Sequence, residues 1–264
     1  MKNEGDFFGN KSGQLTIFII IAIFVVALSV LVYFLFPQVL VNFGIGVTNP
    51  NLFMQSCIEE DVENIADMIS LQGGSLSPEN YILYQDSKIE YLCYTNEYYK
   101  QCVMQQPLLK QHIENEIKTQ VGSKINDCYD NLVSSFERRG YGVNLQRGNF
   151  DIELLPEKIL LVLNSQMTLT KGETQRFERL DIIINNNLYE LISIANSILN
   201  WEARFGDVET TTYMNYYRDL KVEKIKQTEG SKIYILTDRN TGEKFQFASR
   251  SVVFPPGYGI EAVI

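Results

Sequence analysis

The chain has 264 residues, a formal charge of −9 and 45% hydrophobic residues, so it is neither a disordered polyanion nor a polytopic membrane protein. Past an apolar N-terminal segment, 21 basic residues face 30 carboxylates. Phosphate binding wants clustered Lys and Arg, so that acidic balance argues against a nucleic-acid partner, and none is expected.

Leu15 to Phe36 carries no charge, Gly or Pro, and its length matches a hydrocarbon core of roughly 30 Å. A membrane-spanning helix is expected there, with membrane lipid as its partner. The segment is too long for the apolar stretch of a conventional cleaved signal peptide, and no small-residue site follows it. Lys2 and Lys11 precede it, whereas the next basic residue is Lys88. The positive-inside rule therefore places the N-terminus in the cytoplasm and everything after residue 36 outside. The expected organisation is a cytoplasmic leader over 1–13, the span over 14–36, a linker over 37–51 rich in Asn, Gly and Pro, and an exported α+β domain over 52–264.

Lys11-Ser12-Gly13-Gln14 followed by Leu15-Thr16-Ile17-Phe18 resembles the class III signal peptide of archaeal type IV pilins. The resemblance implies cleavage between Gly13 and Gln14, with the apolar helix retained for assembly into a filament. Ser12 replaces a common second basic residue, and Phe18 occupies the position of the glutamate of bacterial pilins. An uncleaved signal anchor is the alternative.

Met54, Ile58, Val62, Ile65 and Ile69 repeat at helical spacing and stop at Gly73-Gly74. Glu59, Glu60, Asp61, Glu63 and Asp67 read as the solvated face of that helix, several of them in its first half. Tyr81 to Gln85 and Lys88 to Tyr94 form a short hairpin through Asp86-Ser87. A long helix follows, with Pro107 in its first turn and a stripe from Leu109 to Phe136. Strands flank Arg147-Gly148, and two longer ones, Lys158 to Thr170 and Thr174 to Ile184, flank Lys171-Gly172-Glu173. Asn187 and Glu190 cap a helix that ends at Gly206. Lys221 to Gln227, Lys232 to Thr237 and Glu243 to Val253 make a final meander. The fold class is α+β, long helices first and antiparallel sheet later.

The blocks Cys57-Ile58-Glu59-Glu60, Leu71-Gln72-Gly73-Gly74, Gln105-Gln106-Pro107-Leu108-Leu109, Glu202-Ala203-Arg204-Phe205-Gly206-Asp207 and Phe247-Ala248-Ser249-Arg250-Ser251, with Phe254-Pro255-Pro256-Gly257-Tyr258-Gly259, resemble a family of uncharacterised single-span exported proteins of small-genome archaea. That resemblance implies location and lineage and carries no activity.

Cys57, Cys93, Cys102 and Cys128 all lie in the expected exported part, where thiols persist as disulfides. They lack the paired C-x-x-C spacing of a zinc site. Of three possible pairings, Cys93 with Cys102 closes a short loop, leaving Cys57 with Cys128. The single histidine, His112, has no obvious nucleophile beside it in sequence. No phosphate loop, dinucleotide turn, zincin helix or nucleophile elbow occurs. No residue is assigned a catalytic or metal-binding role, and no cofactor is expected.

Tyr81, Tyr84, Tyr91, Tyr94, Tyr98 and Tyr99 crowd into one stretch and form the candidate contact surface. Cross-strand packing in the hairpin is the other reading. Lys221, Lys224, Lys226 and Lys232 read as a solvated sheet face, and the aromatic ending after Arg250 as a recognition tail or a packed one. The expected function is a membrane-anchored cell-surface protein, pilin-like or an adhesion module without catalysis, self-assembling or binding a surface protein. An envelope hydrolase or a structural subunit of a membrane complex is the alternative.

N-terminal sequencing of the chain from its native host should find Gln14 first, and a mature chain starting at Met1 would leave a plain signal anchor.

Overall fold

The computed structural model describes residues 21–26 and 49–255. The chain divides into units 1–48 and 49–264. In the first, residues 21–26 are helical and exposed. The rest of the expected span Leu15 to Phe36, the leader with Gly13 and Gln14, and the linker up to residue 48 lie outside the described residues. Among the described residues no helix is long and apolar enough to cross a membrane.

The second unit is α+β. Helix α1, Pro50–Leu71, starts within the expected linker, because Asn49 caps it by accepting from the Asn51 amide at 2.9 Å and Pro50 suits the first turn. Its first turn therefore holds no acidic residue, and the carboxylates from Glu59 onward sit too far along to meet the dipole. Burial first, then repulsion from Glu59 and Asp67, raises the Glu63 carboxyl. Strands β1, Tyr81–Tyr84, and β2, Ser87–Tyr94, form the expected hairpin, with the turn one residue earlier, at Gln85 and Asp86, both at positive φ. After β3, Val103–Met104, comes α2, Leu109–Arg138, whose stripe from Leu109 through Ile113, Ile117, Val121 and Ile125 to Phe136 is buried.

Strands β4, Gly142–Gln146, and β5, Phe150–Leu155, flank Arg147-Gly148 as expected, whereas β6, Lys158–Leu163, β7, Gln166–Lys171, β8, Glu173–Phe177, and β9, Leu180–Asn185, replace the two longer strands expected there. The strands pair antiparallel, and each of the two expected long strands breaks midway, after Leu163 and after Phe177. Residues 147–149 stand opposite 164–165, so the β4–β7 register does not continue into β5–β6. Such an irregularity bends the ribbon and divides it into two three-stranded sheets. A Cβ on Gly148 would lie 1.8 Å from the Asn164 carbonyl oxygen, so only glycine fits the bend. The inner sheet buries Ile152, Leu154, Ile159, Leu161, Leu163, Leu180, Ile182 and Ile184, whereas β8 is almost wholly exposed.

Helix α3, Leu188–Phe205, ends at Gly206 in the left-handed conformation, as expected. Its expected cap does not form. The Asn187 side chain donates instead to Asp238 at 3.2 Å, Asn186 accepts from the Leu188 amide, and Glu190 accepts from the Glu157 amide. A short helix absent from the sequence reading, α4, Thr210–Tyr216, precedes the meander β10, Leu220–Lys226, β11, Lys232–Asp238, and β12, Lys244–Arg250.

The meander and the early hairpin share one sheet, in the order β1-β2-β12-β11-β10 with β3 on β2, through a parallel β2–β12 pair. Helix α1 packs on α2, β9 and β12, and α3 on β2, β5, β11 and β12, so a helical layer joins this sheet to the inner meander. Cys57–Cys128 ties α1 to α2 with Cα atoms 5.9 Å apart, and Cys93–Cys102 closes the loop from β2 to β3 at 5.3 Å.

The first bridge spans 71 residues and the second 9, so loop-closure entropy assigns them about 4 and about 2.5 kcal/mol respectively. Denaturant unfolding of the two double Cys→Ala variants should show the larger loss for Cys57 and Cys128.

Candidate functional site

The end of α3 holds the most buried charge in the described residues. Glu202 and Lys232 are 0% and 5% exposed, with Lys232 Nζ 2.6 Å from Glu202 Oε2. Tyr234 donates its hydroxyl to Glu202 Oε1, and Ser249 donates to Oε2 at 2.9 Å. Lys232 also donates to the Gly206 carbonyl, and Ser251 to the Glu202 carbonyl at 2.8 Å. The pair is thus hydrogen-bonded on both sides, the condition under which buried charges are tolerated. Burial and then the Glu202 charge push the Tyr234 hydroxyl far up, so it stays a donor.

This corrects the solvated face expected of the lysines. Lys232 lies inside, and Lys224 is mostly covered, reaching Asp207 at 2.9 Å and the Val208 carbonyl at 2.6 Å. Lys226 stays exposed beside Asp207, and Lys221 pairs with Glu223 at 2.9 Å. Partial burial alone would raise the Asp207 carboxyl. The Lys224 hydrogen bond and the charges of Lys232, Lys224 and Lys226 outweigh it and hold Asp207 below its ordinary range.

The rest of the aromatic ending past residue 255 lies outside the described residues, but just after β12 the segment 251–253 is packed. Cβ atoms on Gly206 and Gly230 would fall 2.2 Å and 2.3 Å from Val252 and Val253 side-chain carbons, so two glycines make room for it. Val252 donates to the Lys100 carbonyl at 2.8 Å, Tyr99 to that of Val253 at 2.9 Å, and the Cys102 amide to Ser251 Oγ at 3.0 Å. A cleft of about 480 Å³ opens beside it, lined by Phe205, Asp207, Lys226, Gln227, Lys232 and Phe254 among others. Two exposed rings on its edge each carry another: Trp201 lies 4.7 Å from Phe205, and Tyr99 lies 5.4 Å from Phe254, centroid to centroid.

The six tyrosines do not form one surface. Tyr91 is buried, bonds Ser231 Oγ at 2.8 Å and packs edge-on against Tyr94 at 5.0 Å. Tyr84 and Tyr94 are half-buried against the same cluster of Ile89, Ile233 and Ala248. Only Tyr81, Tyr98 and Tyr99 point outward, so cross-strand packing and exposure divide the stretch between them.

A second cleft lies where α1 ends. His112 does have a nucleophile beside it: Ser75 Oγ is 2.7 Å from its Nε2 and 2.6 Å from Glu90 Oε2. The pair joins residues 37 apart in sequence, which no local motif signals. Among the described residues no group of His, Cys, Asp and Glu could hold a metal ion. No protein family, curated protein or solved structure matches the chain.

The Asp207 carboxylate contributes stability that is present above its ordinary 3.8 and is lost as the pH falls through its lowered folded value. Asp207→Asn should therefore flatten the acid limb of stability against pH below about pH 4, read from urea midpoints. An unchanged limb would remove Asp207 from the lysine cluster.

Proposed function

We propose that the chain is an exported, membrane-tethered surface-interaction protein, of the pilin-like or adhesion kind, and that its contact face is the aromatic rim formed by Trp201, Phe205, Tyr99 and Phe254. The carrying observation is that rim: four large rings at least half exposed or nearly so, from 49% at Trp201 to 63% at Phe205, of which Phe205 and Phe254 line one cleft and Trp201 and Tyr99 each pack on one of them. Clustered exposed aromatics mark interaction sites, because they offer apolar area at low entropic cost. The cleft beneath is mixed, with Lys226, Asp207 and Gln227, so a partner needs both apolar and hydrogen-bonding groups. Closed disulfides at all four cysteines support the exported location, and the uncharged stretch Leu15 to Phe36 supports the tether.

A photo-cross-linker at position 205 on intact cells should give a discrete higher-mass species, and one at exposed Gln175 on β8 should not. Trp201→Ala should lower the yield at least about tenfold while unfolding stays within about 0.5 kcal/mol. A chain inaccessible to external protease on intact cells, or no adduct from position 205, would contradict the reading.

A further inference from the structure

We infer that the cleft at the end of α1 is an ester-hydrolysing site in which Ser75 is the nucleophile, Glu90 the general base and His112 the proton donor to the leaving group. This goes beyond the tethered contact protein and does not rest on it.

The cleft, about 500 Å³, is lined by Ser75, Asn80, Glu90, Gln106, His112 and Glu116 among others. Two glycines just before Ser75 set its position. Gly73 and Gly74 have φ of +88° and +108°, and a Cβ on Gly73 would lie 2.8 Å from that of Glu90. Without side chains there, the turn presses against β2 and α2 and brings Ser75 to both Glu90 and His112. The Leu76 amide donates to Glu116 Oε2 at 3.1 Å, which fixes the loop on α2 from the far side.

Glu90 is 7% exposed. It accepts from Ser75 Oγ at 2.6 Å and from Gln106 Nε2 at 3.3 Å. No lysine or arginine lines the cleft. Because Glu90 accepts from both neighbours, the serine proton lies on its side, and the serine lone pairs face a proton on His112 Nε2. A hydroxyl held between a buried acceptor and an imidazole donor is arranged for deprotonation at one end and for proton delivery at the other.

The steps balance. Ser75 Oγ attacks the ester carbonyl carbon and forms an acyl ester while its proton passes to Glu90. The bond to the leaving alcohol breaks, and that oxygen takes a proton from imidazolium His112. Water then attacks the acyl carbon and gives a proton to His112, and Ser75 departs with the proton held by Glu90. Ester and water become acid and alcohol, with all three side chains restored. Glu79, Glu90 and Glu116 on the lining exclude anionic substrates, so the ester is neutral or cationic.

The test uses the full chain in detergent with an alkyl fluorophosphonate, followed by peptide mass mapping. The expected result is one adduct on Ser75 with loss of fluoride, absent in Ser75→Ala and formed about 10²-fold more slowly in Glu90→Gln. Thermal unfolding confirms that each variant is folded, and His112→Ala, at a half-exposed site, serves if Glu90→Gln is not. His112→Ala should form the adduct yet fail to turn over p-nitrophenyl acetate. No adduct on the folded chain, an adduct that survives Ser75→Ala, or labelling insensitive to Glu90→Gln would each overturn the assignment and leave Ser75 as a tie between loop and helix. None of these outcomes bears on the aromatic rim.

Discussion

The buried contact between Glu202 and Lys232 organises the half of the domain that carries the aromatic rim. Desolvating two charges costs several kcal/mol per ion unless every remaining polar valence is met. Here the valences are met by Tyr234 on β11, Ser249 on β12 and the Gly206 carbonyl at the end of α3, and Ser251 just past the sheet ties the same turn by donating to the Glu202 main-chain carbonyl. Each of those positions is thereby fixed relative to the others. The end of α3, which carries Trp201 and Phe205, is held against the sheet, and the segment carrying Phe254 is held against both.

The consequence is geometric. The segment from Ser251 to Phe254 fits only because Gly206 and Gly230 leave space for Val252 and Val253. It is then stitched to residues 98–102, which the Cys93–Cys102 bridge closes into a short loop. Aromatic groups from three distant stretches thus meet around one cleft. The second cleft follows the same logic, with Gly73 and Gly74 admitting a loop that brings Ser75 to Glu90 and His112.

What was legible in the sequence was whatever repeats locally. The stripes of α1 and α2, the hairpin turn, the Gly206 stop and the final meander follow from apolar periodicity and turn residues, and the short Cys93–Cys102 loop pointed to the pairing that is found. The break at Arg147-Gly148 was legible, but the matching breaks after Leu163 and Phe177 in the two long strands were not, because a bend shows in register and not in composition. The parallel β2–β12 pair joins segments about 150 residues apart, which no periodicity encodes. Lys232 opens β11 opposite Lys226 of the lysine-rich strand β10, and only the position of Glu202 on α3 distinguishes it from those more solvated neighbours. Glu202 itself lay in a recognisable block, but nothing local marks a helical glutamate as fully buried.

A double-mutant cycle on Glu202→Gln and Lys232→Met, followed by denaturant unfolding, tests this account most directly. Lys232→Met leaves the buried Glu202 charge without a cation and should cost about 3 to 5 kcal/mol, Glu202→Gln leaves Lys232 only Asp207 at 3.7 Å, and the double variant should lose far less than the sum, a coupling of at least about 2 kcal/mol. Additive losses, with coupling below about 0.5 kcal/mol, would mean that the two side chains do not hold the end of α3 to the sheet.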